Sequence, residues 1–159
     1  MQPFVLVIIS TLLLSMNGLV NFAFGASDTV NSAVIKLTNP NMREVQETIR
    51  QLTAIGDEAI EPVLNIGYHP TERKITALKP ARQALENIGF AKVVDHLISQ
   101  IRDGEATQQQ LAAHYLNSLF FHPVNINADM TDDEKESAIS DWLVWWESNK
   151  YRFIPIPRE

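Results

Sequence analysis

Beyond position 28 the apolar residues recur every three or four places: Val45, Ile49, Leu52 and Ile55; Ile60, Val63 and Leu64; Leu85 and Ile88; Val93, Val94, Leu97, Ile98 and Ile101. That spacing lays one stripe along one face of a helix, whereas a half-buried strand would alternate every second residue. No run alternates over a useful length. The two strand candidates are short: Val34 to Leu37, and Phe153 to Ile156, which Pro155 and the following Pro157 interrupt. The pattern predicts an all-α chain with helices near 29–37, 42–55, 58–67, 72–88, 91–102, 105–120 and 132–149.

The punctuation agrees with those bounds. Gly56, Gly67, Gly89 and Gly104 each close a periodic apolar stretch, where a left-handed helix terminus favours glycine. Asn41 with Glu44, and Thr131 with Glu134, have the spacing of a capping box. Asp57 is placed to cap the helix after Gly56, and Pro80 suits a first helical turn or a kink.

The first 27 positions follow a different rule. They hold no Asp, Glu, Lys or Arg, and Asp28 is the first charged side chain. Phe4 to Leu14 is an apolar run of signal-peptide length, and the stretch after it ends in small residues that suit cleavage after Gly25 or Ala26. Residues 1–26 are therefore expected to be a signal peptide, or, left uncleaved, an N-terminal membrane anchor facing its domain outward. Residues 27–159 are expected to form a single helical domain, periplasmic or secreted. The chain has no cysteine, so neither disulfides nor an acylated cysteine would hold that domain, and an ordinary packed core must.

Shifting the chain by about 33 positions exposes a duplication. Leu52 falls on Leu85, Ile55 on Ile88, Gly56 on Gly89, Ile60 on Val93 and Leu64 on Leu97. In each copy a helix ends in Leu-x-x-Ile-Gly, the glycine allows a reversal, and a second helix returns its apolar face to the same side. Neither helix buries that face alone, so neighbouring hairpins must stack. The stretch Gln51 to Ile66 (QLTAIGDEAIEPVLNI) resembles a HEAT-type repeat of the short, bilin-lyase-like kind, with Asp57, Ala59, Ile60, Pro62 and Leu64 on its pattern. In the second copy, Ala84 to Ile101, Phe90, Lys92 and Asp95 depart from it. The resemblance spans roughly residues 42–104 and implies antiparallel hairpins stacked as a short HEAT-like α-α superhelix, used for protein recognition. The helices 105–120 and 132–149 would form a degenerate third hairpin around the loop His122 to Met130.

All three tryptophans, Trp142, Trp145 and Trp146, sit on one helix. Positions 142, 145, 146 and 149 share a face, which suits either an aromatic binding platform or the core seal of a terminal helix. Because 145 and 146 point about 100° apart, they cannot both occupy the centre of one buried face. Trp145 and Trp146 are the candidate binding residues, together with His114 and Tyr115, placed in a groove.

Catalytic signatures are missing. His69, His96, His114 and His122 form no metal-ligand spacing, Asp95 and His96 diverge on a helix, and no nucleophile elbow or phosphate loop is present. Glu44, Glu47, Glu58 and Glu61 lie among polar positions and read as a solvated face. The cluster Asp129, Asp132, Asp133, Glu134 and Glu136 lacks calcium-loop spacing and fits the charge preference of a helix start. No catalytic residue, metal or cofactor is assigned.

Charge narrows the partner. With 13 basic against 19 acidic residues and a net charge of -6, nucleic acid is a poor match. The expected role is an exported, non-catalytic scaffold or adaptor that binds another protein and meets a membrane only through a retained N-terminal segment. The alternative is a small extracytoplasmic enzyme or enzyme accessory acting on cell-envelope material.

Overall fold

The computed structural model describes residues 28–153, so the expected leader and residues 154–156 of the terminal strand candidate lie outside the described residues. Among the described residues there is no strand. Seven α-helices follow in order: α1 (Asp28–Ile35), α2 (Met42–Ile55), α3 (Ile60–Tyr68), α4 (Leu78–Ile88), α5 (Phe90–Asp103), α6 (Ala106–Phe120) and α7 (Asp132–Asn149). Short 3-10 turns extend or precede several of them. Val34 to Leu37 closes α1 and its 3-10 extension rather than forming a strand, and Phe153, the described residue of the other candidate, ends the 3-10 turn after α7.

The two glycine-ended helices, α2 and α4, lie side by side, and α3 packs on α4. Three aligned pairs of the duplication are buried in both copies, Leu52 with Leu85, Ile60 with Val93 and Leu64 with Leu97, whereas of the pair Ile55 and Ile88 only Ile88 is buried. Gly56 and Gly89 both carry positive φ, 76° and 114°, the region that L side chains avoid. Side chains also register across the copies. Gln46 donates to Gln83 at 3.3 Å between α2 and α4, and Lys92 of α5 pairs with Asp57 ahead of α3 at 3.0 Å.

Two of the glycine expectations change. Gly67 is no helix stop; it lies inside α3, where an added Cβ would fall 2.6 Å from the Ala81 Cβ. Its missing side chain is what lets α3 and α4 approach. Gly104 ends α5 in extended rather than left-handed backbone. The left-handed terminus that no glycine marks is Phe121, after α6, with φ 55°.

The helix expected from 72 starts at Leu78. The His69 ring Nδ1 accepts the N–H groups of Thr71 and Glu72 at 3.3 and 3.1 Å, and the Lys74 N–H reaches Ile66 O at 2.7 Å. These bonds hold residues 70–74 in a turn. Pro80 then falls in the first turn of α4, where no N–H is required. Asp57 does not cap α3; it stands in the 3-10 turn Gly56–Ala59 and meets Lys92 instead.

Of the two expected capping boxes, one forms. Thr131 and Glu134 form the reciprocal box: Thr131 Oγ1 accepts from Glu134 N, and Glu134 Oε2 accepts from Thr131 N at 2.8 Å. Asn41 accepts from Arg43 N, but Glu44 Oε1 accepts from the Asn41 side-chain Nδ2, and the Asn41 backbone N–H donates to Asn39 Oδ1, so the reciprocal box is not completed. Two more members of the acidic cluster make helix-surface pairs, Asp132 with Lys135 and Glu136 with Arg102.

Helix α6 runs chiefly along α5 rather than pairing with α7 as a hairpin. Helix α7 instead reaches the body through rings. Phe120 is the hub, edge-on to Phe90, Trp142, Trp146 and Phe153 at centroid distances of 5.3, 5.8, 5.0 and 5.2 Å. Edge-to-face rings set against their quadrupoles add to the area they bury.

Candidate functional site

The expected aromatic platform is mostly core. Trp142 and Trp146 are buried, at 1% and 4% exposure, and Trp142 Nε1 donates to His122 O at 3.1 Å, so its one polar atom is satisfied. Trp146 therefore has no face to offer a partner, because the helix must bury that stripe to dock at all. Trp145, offset by about 100°, sits at the edge of the same cluster, 5.6 Å from the Trp142 ring and 6.2 Å from Phe153. It is half-buried and stacked on the His122 ring at 4.0 Å with the planes 8° apart.

His114 and Tyr115 separate for the same reason. Tyr115 is fully buried between α6 and α3, and its hydroxyl donates to Asn65 Oδ1. Burial, then the nearby Glu61 and Glu72 charges, raise its phenol above the ordinary tyrosine value. It is a core residue, not a groove residue. His114 is half-buried, with Nε2 3.1 Å from Tyr68 O and 3.3 Å from Ser118 Oγ, and it lines a shallow polar groove with Asn117, Asn125 and Asn127.

Two constellations emerge that the one-dimensional pattern did not assemble. The first joins α3 to α5. His96 Nε2 lies 3.2 Å from Glu61 Oε2, and Gln100 Nε2 donates to the same oxygen at 2.9 Å. Gln100 Nε2 also lies 3.1 Å from His96 Nε2, so the three side chains form one cluster. The Glu61 side chain is only 13% exposed. Helix geometry excluded Asp95 as a partner for His96, and the residue that does meet it lies 35 positions away on the matching helix of the neighbouring hairpin.

The second is a cleft of about 470 Å³ lined by Tyr68, Arg73, Leu78, Lys79, Arg82, Ser118 and Phe121. Its volume is in the range of roughly 300–1,000 Å³ usual for ligand clefts. The close approach at Gly67 brings the end of α3 to the start of α4 and so sets Tyr68 beside Arg82. Burial raises the Tyr68 phenol above its ordinary value, and the neighbouring Arg82 pulls it partly back. Arg82 is held on two further sides: Nη1 donates to Leu119 O at 3.0 Å, and the guanidinium lies 5.3 Å from the Phe90 ring centroid. Phe121 forms the opposite lip, 83% exposed.

The run 73–82 holds Arg73, Lys74, Lys79 and Arg82 and no carboxylate, a concentration of cations readable in the sequence once local rather than net charge is counted. Phe121 gave no such sign, because nothing in FFHP tells which of two phenylalanines turns outward. Among the described residues no group of three or more His, Cys, Asp or Glu side chains is placed to hold a metal, and no helix is long and apolar enough to cross a membrane. No family model, curated protein or solved structure matches the chain.

Proposed function

We propose that this chain is an exported, non-catalytic helical module that binds another protein, and that it does so at the Tyr68–Arg82–Phe121 cleft rather than on the tryptophan helix. The observation behind this reading is Phe121. A bulky residue with φ 55° costs backbone energy that glycine would not, and this ring recovers none of it by packing, since it stands 83% exposed. A large apolar side chain held outward beside a cleft is what a binding hot spot requires of the free protein. The HEAT-like duplication supports the same reading, as the stacked-hairpin scaffold on which such a surface would stand.

Selection of a charge-unbiased library of displayed peptides on the immobilised full-length chain tests it. The expected outcome is a set of mutually competing peptides that bind at least about tenfold more weakly to Phe121→Gly and unchanged to Trp145→Ala. Enrichment of none, or of peptides lost on Trp145→Ala alone, would count against it. A second reading, a small enzyme acting on envelope material, is favoured by one contact, the convergence of Glu61 and His96 at 3.2 Å. Release of soluble fragments from isolated envelope by the wild type, and not by Glu61→Gln, would decide for that reading.

A further inference from the structure

The cleft gathers three cations, Arg73, Lys79 and Arg82, with no carboxylate among its lining residues. Between positions 44 and 151, Arg50, Lys92, Arg102, Lys135 and Lys150 each pair with a carboxylate, Glu47, Asp57, Glu136, Asp132 and Glu147 respectively. Arg73, Lys74, Lys79 and Arg82, like Lys36, Arg43 and Arg152, make no ion pair among the described residues, but those four stand within ten positions of the sequence. On a chain with a surplus of six negative charges, four neighbouring cations would be easy to neutralise, yet three of them border one cleft without a carboxylate.

We infer that the cleft takes an acidic, apolar peptide segment of the partner, with its carboxylates on Arg73, Lys79 and Arg82 and an apolar side chain against Phe121 and Leu78. The inference rests on the binding-module reading and specifies the chemistry of its ligand.

Three features make this occupant fit better than others. Arg82 is already anchored through Leu119 O, the Phe90 face and Tyr68, so its guanidinium loses little freedom when an anion arrives. Planar guanidinium groups match carboxylates in a two-pronged geometry that a lone ammonium lacks. The lip is apolar: Leu78 is 40% and Phe121 83% exposed, and a bare inorganic anion has no use for either surface. A nucleic acid strand would demand a longer basic track than residues 73–82 supply, on a chain whose remaining surface repels phosphate.

The test uses fluorescence anisotropy of labelled peptides of about ten residues on the full-length chain. One peptide alternates Asp and Glu with Leu and Phe, a second replaces each acid with its amide, and inorganic phosphate serves as competitor. The acidic peptide should bind about tenfold or more tightly than the amide peptide and weaken as salt rises. The doubly substituted Arg73→Gln, Lys79→Gln chain should lose most of that preference and keep only the part that Arg82 supplies. These side chains are exposed and make no ion pair among the described residues, so the fold should survive, which circular dichroism would confirm. Phe121→Gly should weaken both peptides.

Equal binding of the acidic and amide peptides by the wild type would overturn the acidic ligand while leaving the displayed-peptide result, and the module reading, intact. Displacement of the acidic peptide by phosphate at comparable concentration would reduce the cleft to a plain anion site and overturn the proposal. So would a doubling of mass in light scattering that Phe121→Gly abolishes, since the occupant would then be a second copy of the chain. Failure of the displayed library as well would instead remove the module reading itself.

Discussion

Phe120 and Phe121 are consecutive and end up in opposite surroundings. Phe120 closes α6 at the centre of a knot of rings from α5, α7 and the segment beyond α7, at 2% exposure. Phe121 takes the left-handed turn after the helix and faces water across a cationic cleft. The knot is where aromatic residues are densest in the sequence, and it is spent on holding α7 to the body. The cleft has one exposed ring, three cations and little sequence prominence, yet it combines the features that recognition needs: anchored charge, apolar lip and strain with no packing return. Density of aromatic residues thus marks where the fold is sealed, while the proposed binding surface is marked by what is left unsatisfied.

Substitutions should separate the two regions. Trp142→Ala should have the largest effect, a loss of about 3–5 kcal/mol in urea unfolding, because it opens a cavity in the knot and strips a donor from His122 O. A loss below about 1 kcal/mol would mean that α7 docks by other means. Gly67→Ala comes next. Its Cβ meets Ala81 Cβ at 2.6 Å, so α3 and α4 must part, at a cost of about 1–3 kcal/mol. Since Tyr68 and Arg82 flank this contact, affinity at the cleft should fall with stability, unlike the outcome at Trp142.

Phe121→Gly should do the reverse of both. It relieves the left-handed strain and removes a ring with little packing, so stability should rise by about 1 kcal/mol while peptide binding is lost. A fall in stability would show that the ring packs more than its exposure suggests. Thr131→Ala probes the far end of α7, with an expected loss of about 1 kcal/mol and no change in binding.

The partner in that cap sets a pH dependence. Hydrogen bonds from the Thr131 backbone, then from its side chain, lower the Glu134 carboxyl below its ordinary value. A lowered folded-state value gives stability that is present above the unfolded-state value, near 4.5, and is lost as pH falls through the folded one. Wild type should therefore exceed Glu134→Gln in thermal midpoint at neutral pH, and the gap should close in acid. A gap that widens below pH 4 would contradict the cap.

The helical class, the duplication and most helix bounds were legible because they depend on local periodicity and punctuation. Asn41, Thr131, Gly56 and Gly89 all act within a few residues of where their signals stand. The exceptions have long-range causes. The late start of α4 depends on the His69 ring bonding forward over the turn, and the role of Gly67 depends on Ala81 in the next helix. The site was less legible still. Trp145 and Trp146 could be told apart by angle but not assigned to core or surface without the position of Phe120. Tyr115 was hidden by Asn65, 50 positions away, and Arg82 gained its anchors from Leu119, Phe90 and Tyr68 on three other segments.

The most direct test is a two-dimensional NMR titration of the labelled chain with the acidic peptide, following backbone amides together with the three indole N–H signals. The account predicts movement of the amides of Tyr68, Arg73, Lys79, Arg82 and Phe121, with all three indole signals still. Movement of the Trp145 indole while the cleft amides stay fixed would return recognition to α7 and contradict it.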